Sequence, residues 1–495
     1  MPQTPGFLIG SDIGTQGTKT TLFTTEGRAV ASAFQASKIR HPSPGTVEED
    51  PEIQLASVCA TIKKCMAGLD PGDVKGLAIA GQMAGIIGIG STGRALTPYD
   101  SWLDTRCAPQ MKIMQRKAGG EIIEKTGGPA SFNHGPKILW WKKNHPDLYR
   151  RVHSFVQPGG YVAMRLCGLE ASDAFIDTTY LHFSGFADNR RSKWDFDLCS
   201  AFGVDEKKLP RIVAPHTVIG EVNAPMARRC GLKPGTQVVA GSGDTAASFL
   251  SCGAVRPGVC VDVAGTASVF AATTNRFIAD QRTQTLACGQ SAVPGLWHPY
   301  AYINGGGMNL EWFRNEFAGG RSLAELDREL PAPAEDFPTF VPHLGGRNNP
   351  SWPALRGAWS GLTREHGHAH LYYAVLESVA LEYRLYRDVL QSLDRKFAMR
   401  EIRVTGGGER SAAWNAIKAG VLGCPVVQMS RSEGAAMGAA LVAGLGTRVL
   451  PDLTQAAESW AAAGAVTQPA RQPFYDRRLR KYAGLLDHLN EWSQL

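Results

Sequence analysis

The segment Asp12-Ile13-Gly14-Thr15-Gln16-Gly17-Thr18-Lys19 combines a carboxylate, a turn rich in glycine and hydroxyls, and a lysine. Backbone N–H groups in such a turn can face phosphate oxygens, Asp12 can hold a hydrated Mg²⁺, and Lys19 can offset phosphate charge. The GxxxxGK[ST] spacing of a Walker A loop is not met, and taken alone the segment is equally an ordinary hairpin turn. A second carboxylate stands in Gly241-Ser242-Gly243-Asp244-Thr245-Ala246-Ala247. A lone acid between glycines at a strand end can project into a cleft as general base toward a hydroxyl. Its plainer role is to cap the Ala-rich helix that follows. The third segment, Thr405-Gly406-Gly407-Gly408 followed by Glu409-Arg410-Ser411, lets a helix N-terminus meet a nucleotide phosphate or ribose. The entropic cost of three adjacent glycines argues against a plain βα loop there.

Two other patterns do not carry the chemistry they resemble. Gly88-Ile89-Gly90-Ser91-Thr92-Gly93 matches GxGxxG, but Ser91–Arg94 reads as a hairpin turn with no helix after it. His366, His368 and His370 are close together without a cysteine or carboxylate to complete a metal set, and they read as the start of a long helix.

The elements that must position these residues alternate along the chain. Phe7–Gly14, Lys19–Thr24 and Arg28–Ser37 read as an antiparallel meander. Pro51–Leu69 has helical spacing with Asp50 placed to cap it. Gly76–Ala80 and Val238–Gly241 read as buried strands, and 101–150 as mostly helical. After residue 254 the style starts again. Gly258–Gly265, Ser268–Thr274 and Leu296–Ile303 read as strands, Leu371–Leu393 as a long amphipathic helix, and Glu401–Thr405 as a strand. Ser411–Leu422 then reads as a helix, Pro425–Met429 as a strand and Gly434–Leu445 as a small-residue helix. Asp12-Ile13-Gly14-Thr15 is echoed by Asp262-Val263-Ala264-Gly265-Thr266, an approximate duplication. Two domains, 1–254 and 255–495, are therefore expected.

With 495 residues, 43% apolar and 20% charged, the chain can bury two sizeable cores. A net charge of +7 without a Lys/Arg block excludes a nucleic-acid or polybasic membrane-binding protein. The densest basic run, Arg477-Arg478-Leu479-Arg480-Lys481, reads as the solvated face of a terminal helix. The ten scattered cysteines contain no CxxC pair, which points to reduced thiols in a cytoplasmic protein. No apolar run is long enough to span a membrane, and no signal peptide is read.

Taken together, the segments resemble the FGGY family of carbohydrate kinases, within the actin/hexokinase/heat-shock-chaperone superfamily. The most specific stretch is Gly357-Ala358-Trp359-Ser360-Gly361-Leu362, then His370-Leu371 and Ala374-Val375-Leu376-Glu377, which is similar to the family's C-terminal signature. Within the family, Gly81-Gln82-Met83, Trp102-Leu103-Asp104-Thr105-Arg106, Pro136–Trp140 and Ala171-Ser172-Asp173 are most similar to xylulokinase segments. The resemblance implies an α/β protein of two ribonuclease-H-like domains, each a mixed five-stranded sheet flanked by helices, with an interdomain cleft.

By the same resemblance the cofactors are ATP and Mg²⁺ and the partner is a small sugar, most closely D-xylulose; homodimers occur in the family. The resemblance assigns Asp244 as catalytic base and metal-site residue, and Asp12 to the metal. It assigns Gln82, Met83, Trp102, Asp104, Arg106 and Asp244 to the sugar, on the first domain. Thr15, Gln16, Lys19, Gly265, Thr266, Gly407, Gly408 and Ser411 are assigned to ATP. Two departures bear on the sugar. Ala84 stands where xylulokinases carry a His, and Gly345-Gly346-Arg347-Asn348-Asn349-Pro350 replaces Gly-Glu-Arg-Thr-Pro. Another ketose such as ribulose, a polyol or a sugar acid is therefore the competing acceptor. A nucleotide-switched binding or sensor protein on the same superfold is the competing class.

Overall fold

The computed structural model describes residues 6–430, 433–470 and 472–495. The chain divides into two compact units. The first comprises Met1–Val255, Cys288–Trp297 and Glu433–Ala461, and the second Arg256–Ala287, His298–Ser432 and Ala462–Leu495.

The first unit is built on strands β1 (Phe7–Ile13), β2 (Gly17–Thr24), β3 (Ala29–Ala36), β4 (Val74–Gly81), β5 (Val218–Glu221) and β6 (Gln237–Gly243), in the order β5-β6-β4-β1-β2-β3. Strands β1, β4 and β6 run parallel, and the β1–β2–β3 meander is antiparallel as the sequence suggests. Period-two alternation divides the sheet's side chains between two cores. Phe7, Ile9 and Ile13 with Leu77, Ile79 and Val238 pack with Leu55, Val58 and Ile62 of α1 (Pro51–Cys65) and Tyr161–Met164 of α2 (Pro158–Cys167). Leu8, Ala78, Ala80 and Val239 pack with Ala247 and Leu250 of α3 (Asp244–Ser251) and with the helix Ala435–Gly446. That second face is lined by small residues because the helix lies very close. A Cβ on Gly10 would sit 1.8 Å from the Ala436 carbonyl oxygen, and one on Gly438 would sit 2.1 Å from that of Ala247. Asp50 caps α1 as expected, accepting from the Glu52 N–H at 2.9 Å.

The second unit repeats the plan with β7 (Val259–Ala264), β8 (Ser268–Ala272), β9 (Trp297–Ile303), β10 (Glu401–Thr405), β11 (Val426–Met429) and β12 (Ala463–Thr467), adjacent in the order β9-β8-β7-β10-β11-β12. The first sheet thus has the five strands expected plus the antiparallel edge strand β5, and the second, of seven strands, has the antiparallel edge strand β12 and the short strand Ala287–Gln290 in addition to five. Its helices are α4 (Gly306–Phe317), α5 (Leu323–Arg328), α6 (His368–Leu393), α7 (Ala412–Leu422) and α8 (Tyr475–Trp492). The basic run near the C-terminus is not all solvated. Arg478 on α8 is buried and pairs with the equally buried Glu377 of α6, because the FGGY-like signature ends on a carboxylate inside the core. Among the described residues, no helix is long and apolar enough to cross a membrane.

Candidate active site

Strands β1, β4 and β6 end side by side, with Ile13 and Gly243 both in register with Gly81. Their carboxyl ends are where open α/β sheets present ligand-binding groups. Three of the expected residues or segments stand there: Asp12 on β1, Gln82-Met83 after β4, and Asp244 after β6. Gly243 takes the cap position of α3, so Asp244 is the first helical residue rather than the cap. Its carboxylate accepts from the N–H of Thr245 at 2.6 Å and from that residue's hydroxyl at 3.1 Å. Burial pushes its carboxyl up to about 6, with the two Thr245 bonds opposing. The turn is fixed from below: the Gly243 N–H donates to Thr179 Oγ1 at 2.8 Å, and that hydroxyl donates to Asp177 at 2.5 Å.

Asp12 lies directly across the β1–β2 hairpin from Lys19. Burial, and next the charge of Asp244, push its carboxyl up to about 8, against the pull of Lys19. Its Oδ1 is buried with no hydrogen-bond partner. The Lys19 ammonium is held by Glu433 at 2.6 Å. Two neighbouring carboxylates, one with an orphaned oxygen, fit a hard divalent cation, which Mg²⁺ satisfies with one or two carboxylates plus water and phosphate. No group of three His, Cys, Asp or Glu suited to a metal occurs among the described residues. The His366–His370 cluster instead begins α6, where His370 Nδ1 accepts from the Gly367 N–H at 3.2 Å and His368 pairs with Glu329 at 3.0 Å.

The other residues expected to meet the sugar form a hydrogen-bonded set. Trp102, 44% exposed, donates from Nε1 to Thr15 Oγ1 at 2.8 Å, and Thr15 donates to Gln82 Oε1 at 3.4 Å. Gln82 in turn donates to the buried Glu49 at 2.9 Å. Met83 is buried, packs close to Gly243, and its carbonyl accepts from His134 Nε2 at 2.6 Å. Asp104 and Arg106 serve the loop itself. Asp104 is fully buried and accepts from the Val47 N–H and from Arg106 Nε, both at 2.8 Å. Arg106 also reaches Asp100 and Glu48 and lies over the Trp140 ring. Lys137, buried and without an obvious chemical role in the sequence, donates to the Ser101 and Asp104 carbonyls at 3.0 Å. Gln16 is exposed at the hairpin turn. Ala84 is half-buried beside Met83.

In the second unit a pocket of about 590 Å³ opens among the β7–β8 turn, α4, α5, α6 and the loop before α7. Gly265, Thr266, Gly407, Gly408 and Ser411 all line it. A Cβ on Gly408 would meet the Trp414 ring at 2.5 Å, so only glycine lets the loop lie against that ring. Met308, Leu310, Leu323, Leu376 and Trp414 give the pocket apolar walls, and its volume lies in the range of small-ligand sites. The polar side chain Asp327 also lines it, and sequence reasoning missed it: in Glu325-Leu326-Asp327-Arg328-Glu329 it looks like one more charge on a solvated helix.

Asp262, the echo of Asp12, has a different fate. It is fully buried, Phe270 replaces the lysine opposite it, and its charge is met by Lys418 of α7 and by the Tyr383 hydroxyl. The departure at 345–350 is also absorbed by packing. Arg347 pairs with the buried Glu382 at 3.1 Å and lies over Trp352, and Asn349 donates to the Thr285 carbonyl at 3.0 Å.

Residues 7–251 match the N-terminal domain of the FGGY family of carbohydrate kinases, and residues 260–447 match its C-terminal domain. A xylulose kinase of Bacillus subtilis (strain 168) is 25% identical, over 97% of this chain and 95% of that protein. A gluconokinase of Bacillus licheniformis is 23% identical, over 88% of this chain and 86% of its own. The crystal structure of xylulose kinase from Rhodospirillum rubrum superposes with a TM-score of 0.91 at 26% identity, covering 99% of this chain and all of that one.

Proposed function

The chain belongs to the FGGY family of carbohydrate kinases, and from that premise we propose that it transfers the terminal phosphoryl group of ATP to D-xylulose, giving D-xylulose 5-phosphate. That it is a sugar kinase follows from the family; the acceptor is the proposal. The observation that carries the mechanism is the pair of carboxylates, Asp12 and Asp244, at adjoining ends of parallel strands.

Asp244 accepts the proton of the attacking hydroxyl. A base held at about 6 is largely ionised at neutral pH yet still basic enough to take a proton. Thr245 orients its carboxylate, and Thr179 fixes the turn that carries it. Asp12, with its unpartnered Oδ1, would hold Mg²⁺, which when bound offsets charge on the transferring phosphoryl group. The N–H groups and side chains of the Gly14–Lys19 turn are suited to phosphate oxygens. The nucleoside would lie in the second unit's pocket, between apolar walls and the Gly407–Ser411 loop. Trp102 and Met83 would face the sugar, positioned by Thr15, Gln82, His134 and the Asp104–Arg106 lattice.

Ala84 favours a second reading. With a methyl group where xylulokinases carry His, one polar contact is missing, and a site that reads hydroxyls by hydrogen bonds changes preference when one partner is lost. A different ketose, a polyol or a sugar acid is then the acceptor; the gluconokinase among the relatives supports the last. ADP release from MgATP is measured with D-xylulose, ribulose, polyols and gluconate, and with no acceptor. Acceleration by D-xylulose above all others supports the first reading, and by another acceptor the second. ATP hydrolysis indifferent to every acceptor would refute both.

A further inference from the structure

The pocket of the second unit has a polar group whose partners define what it has left to offer. Asp327 on α5 lines the pocket and is part-exposed. The Tyr372 hydroxyl donates to its Oδ1 at 3.0 Å, and Ser411 Oγ donates to its Oδ2 at 2.6 Å. Ser411 has one hydroxyl proton, and it is committed to Asp327. Its oxygen also accepts from the Trp414 N–H at 3.0 Å, which caps α7. In this arrangement Ser411 and Tyr372 have no proton left for a ligand. A carboxylate, however, has about four lone-pair positions on its two oxygens. Two are taken here, so Asp327, held in place from two sides, still presents a negative acceptor to a pocket lined otherwise by glycines and apolar side chains together with Thr266, Glu311 and Arg410.

We infer that Asp327 is the specificity-determining residue of this pocket: its carboxylate accepts a hydrogen bond from the nucleoside and disfavours nucleosides that present an acceptor at that point. The required chemistry is an N–H or O–H donor, from the exocyclic amine of adenine or from a ribose hydroxyl. The inference rests on reading the pocket as the nucleotide site. A site built around an acceptor discriminates because a mismatched ligand covers the carboxylate's remaining lone pairs without pairing them. Ser411 and Tyr372 are positioning residues that hold the carboxylate.

Calorimetric binding of MgATP, MgITP and the Mg²⁺ complexes of 2′-deoxyATP and 3′-deoxyATP to the full chain tests this. Asp327→Asn keeps the shape and removes the charge and one acceptor. It should weaken MgATP by about tenfold or more. For the one nucleotide that lacks the donor, the variant and wild type should bind almost equally: ITP if the amine is read, a deoxy analogue if a ribose hydroxyl is read. Tyr372→Phe loosens the same carboxylate, should give a smaller loss with the same nucleotide pattern, and carries the test if Asp327→Asn does not fold. Equal weakening of all four nucleotides, or none, would overturn the inference and leave the nucleotide site standing. Failure of the wild type to bind any of them would overturn both.

Discussion

Replacing Asp12 by Asn should make the metal-free protein more stable at alkaline pH while abolishing most of its turnover. A carboxyl moved from its ordinary 3.8 to about 8 has its charged form disfavoured by roughly 5 kcal/mol. Asp12 is part-exposed, so solvent relieves some of this, and about 2 kcal/mol is the expected gain. The sign follows from linkage: with the folded-state value raised, stability is full below pH 3.8 and is lost as pH rises toward and through 8. Asparagine does not titrate and escapes that loss. In metal-free buffer the variant should match wild type near pH 4.5 and melt about 4 °C higher near pH 8. Added MgATP should narrow the gap by binding wild type preferentially. Scanning fluorimetry across pH, with and without MgATP, reads this directly. A variant no more stable at pH 8, or equally more stable at both pH values, would refute the argument that Asp12 is an under-compensated acid awaiting a cation.

Asp244→Asn should lower kcat by about 10²–10⁴ with the fold intact, and wild-type kcat/KM should fall as pH drops through about 6; a flat pH profile from 5 to 8, or near-normal turnover in the variant, would remove Asp244 as base. Lys418→Met strands the buried Asp262 charge and should cost about 3–5 kcal/mol in chemical denaturation, whereas a loss under 1 kcal/mol would show the pair is not under tension. Gly438→Ala puts a methyl 2.1 Å from the Ala247 carbonyl oxygen and should destabilise by about 3 kcal/mol or prevent soluble expression; a wild-type melting temperature would mean the helix can retreat from α3.

The sequence shows the fold where periodicity and punctuation agree. Glu401–Thr405 reads as a strand residue for residue, because a short alternating run ends at three glycines. The strand ends carrying Asp12 and Asp244 are legible for the same reason. What stays hidden is which long-range partner a side chain takes. Asp12 and Asp262 look alike along the chain, yet one faces Lys19 across a hairpin and the other faces Phe270 and meets Lys418 from a distant helix. Arg478 reads as solvated because its neighbours are, while Glu377, about a hundred residues away, draws it inside. Asp104 and Arg106 are named by motif, but only the structure shows how fully they are engaged with each other and with Asp100 and Glu48. Asp327 has no local signature at all, since its meaning comes from Tyr372 and Ser411.

The contrast between the two duplicated acids has a consequence for how the protein responds to its surroundings. Asp262 carries its counter-charge within the chain, as Lys418, so the second sheet is electrically complete on folding. Among the described residues Asp12 has only Lys19, itself held by Glu433, and draws the rest of its counter-charge from solution. Free magnesium therefore acts as a folding ligand of the first unit by mass action. When it is scarce, amide exchange and proteolytic nicking should quicken in the first unit more than in the second, so the rate at which the protein is turned over would register the supply of the cation it works with.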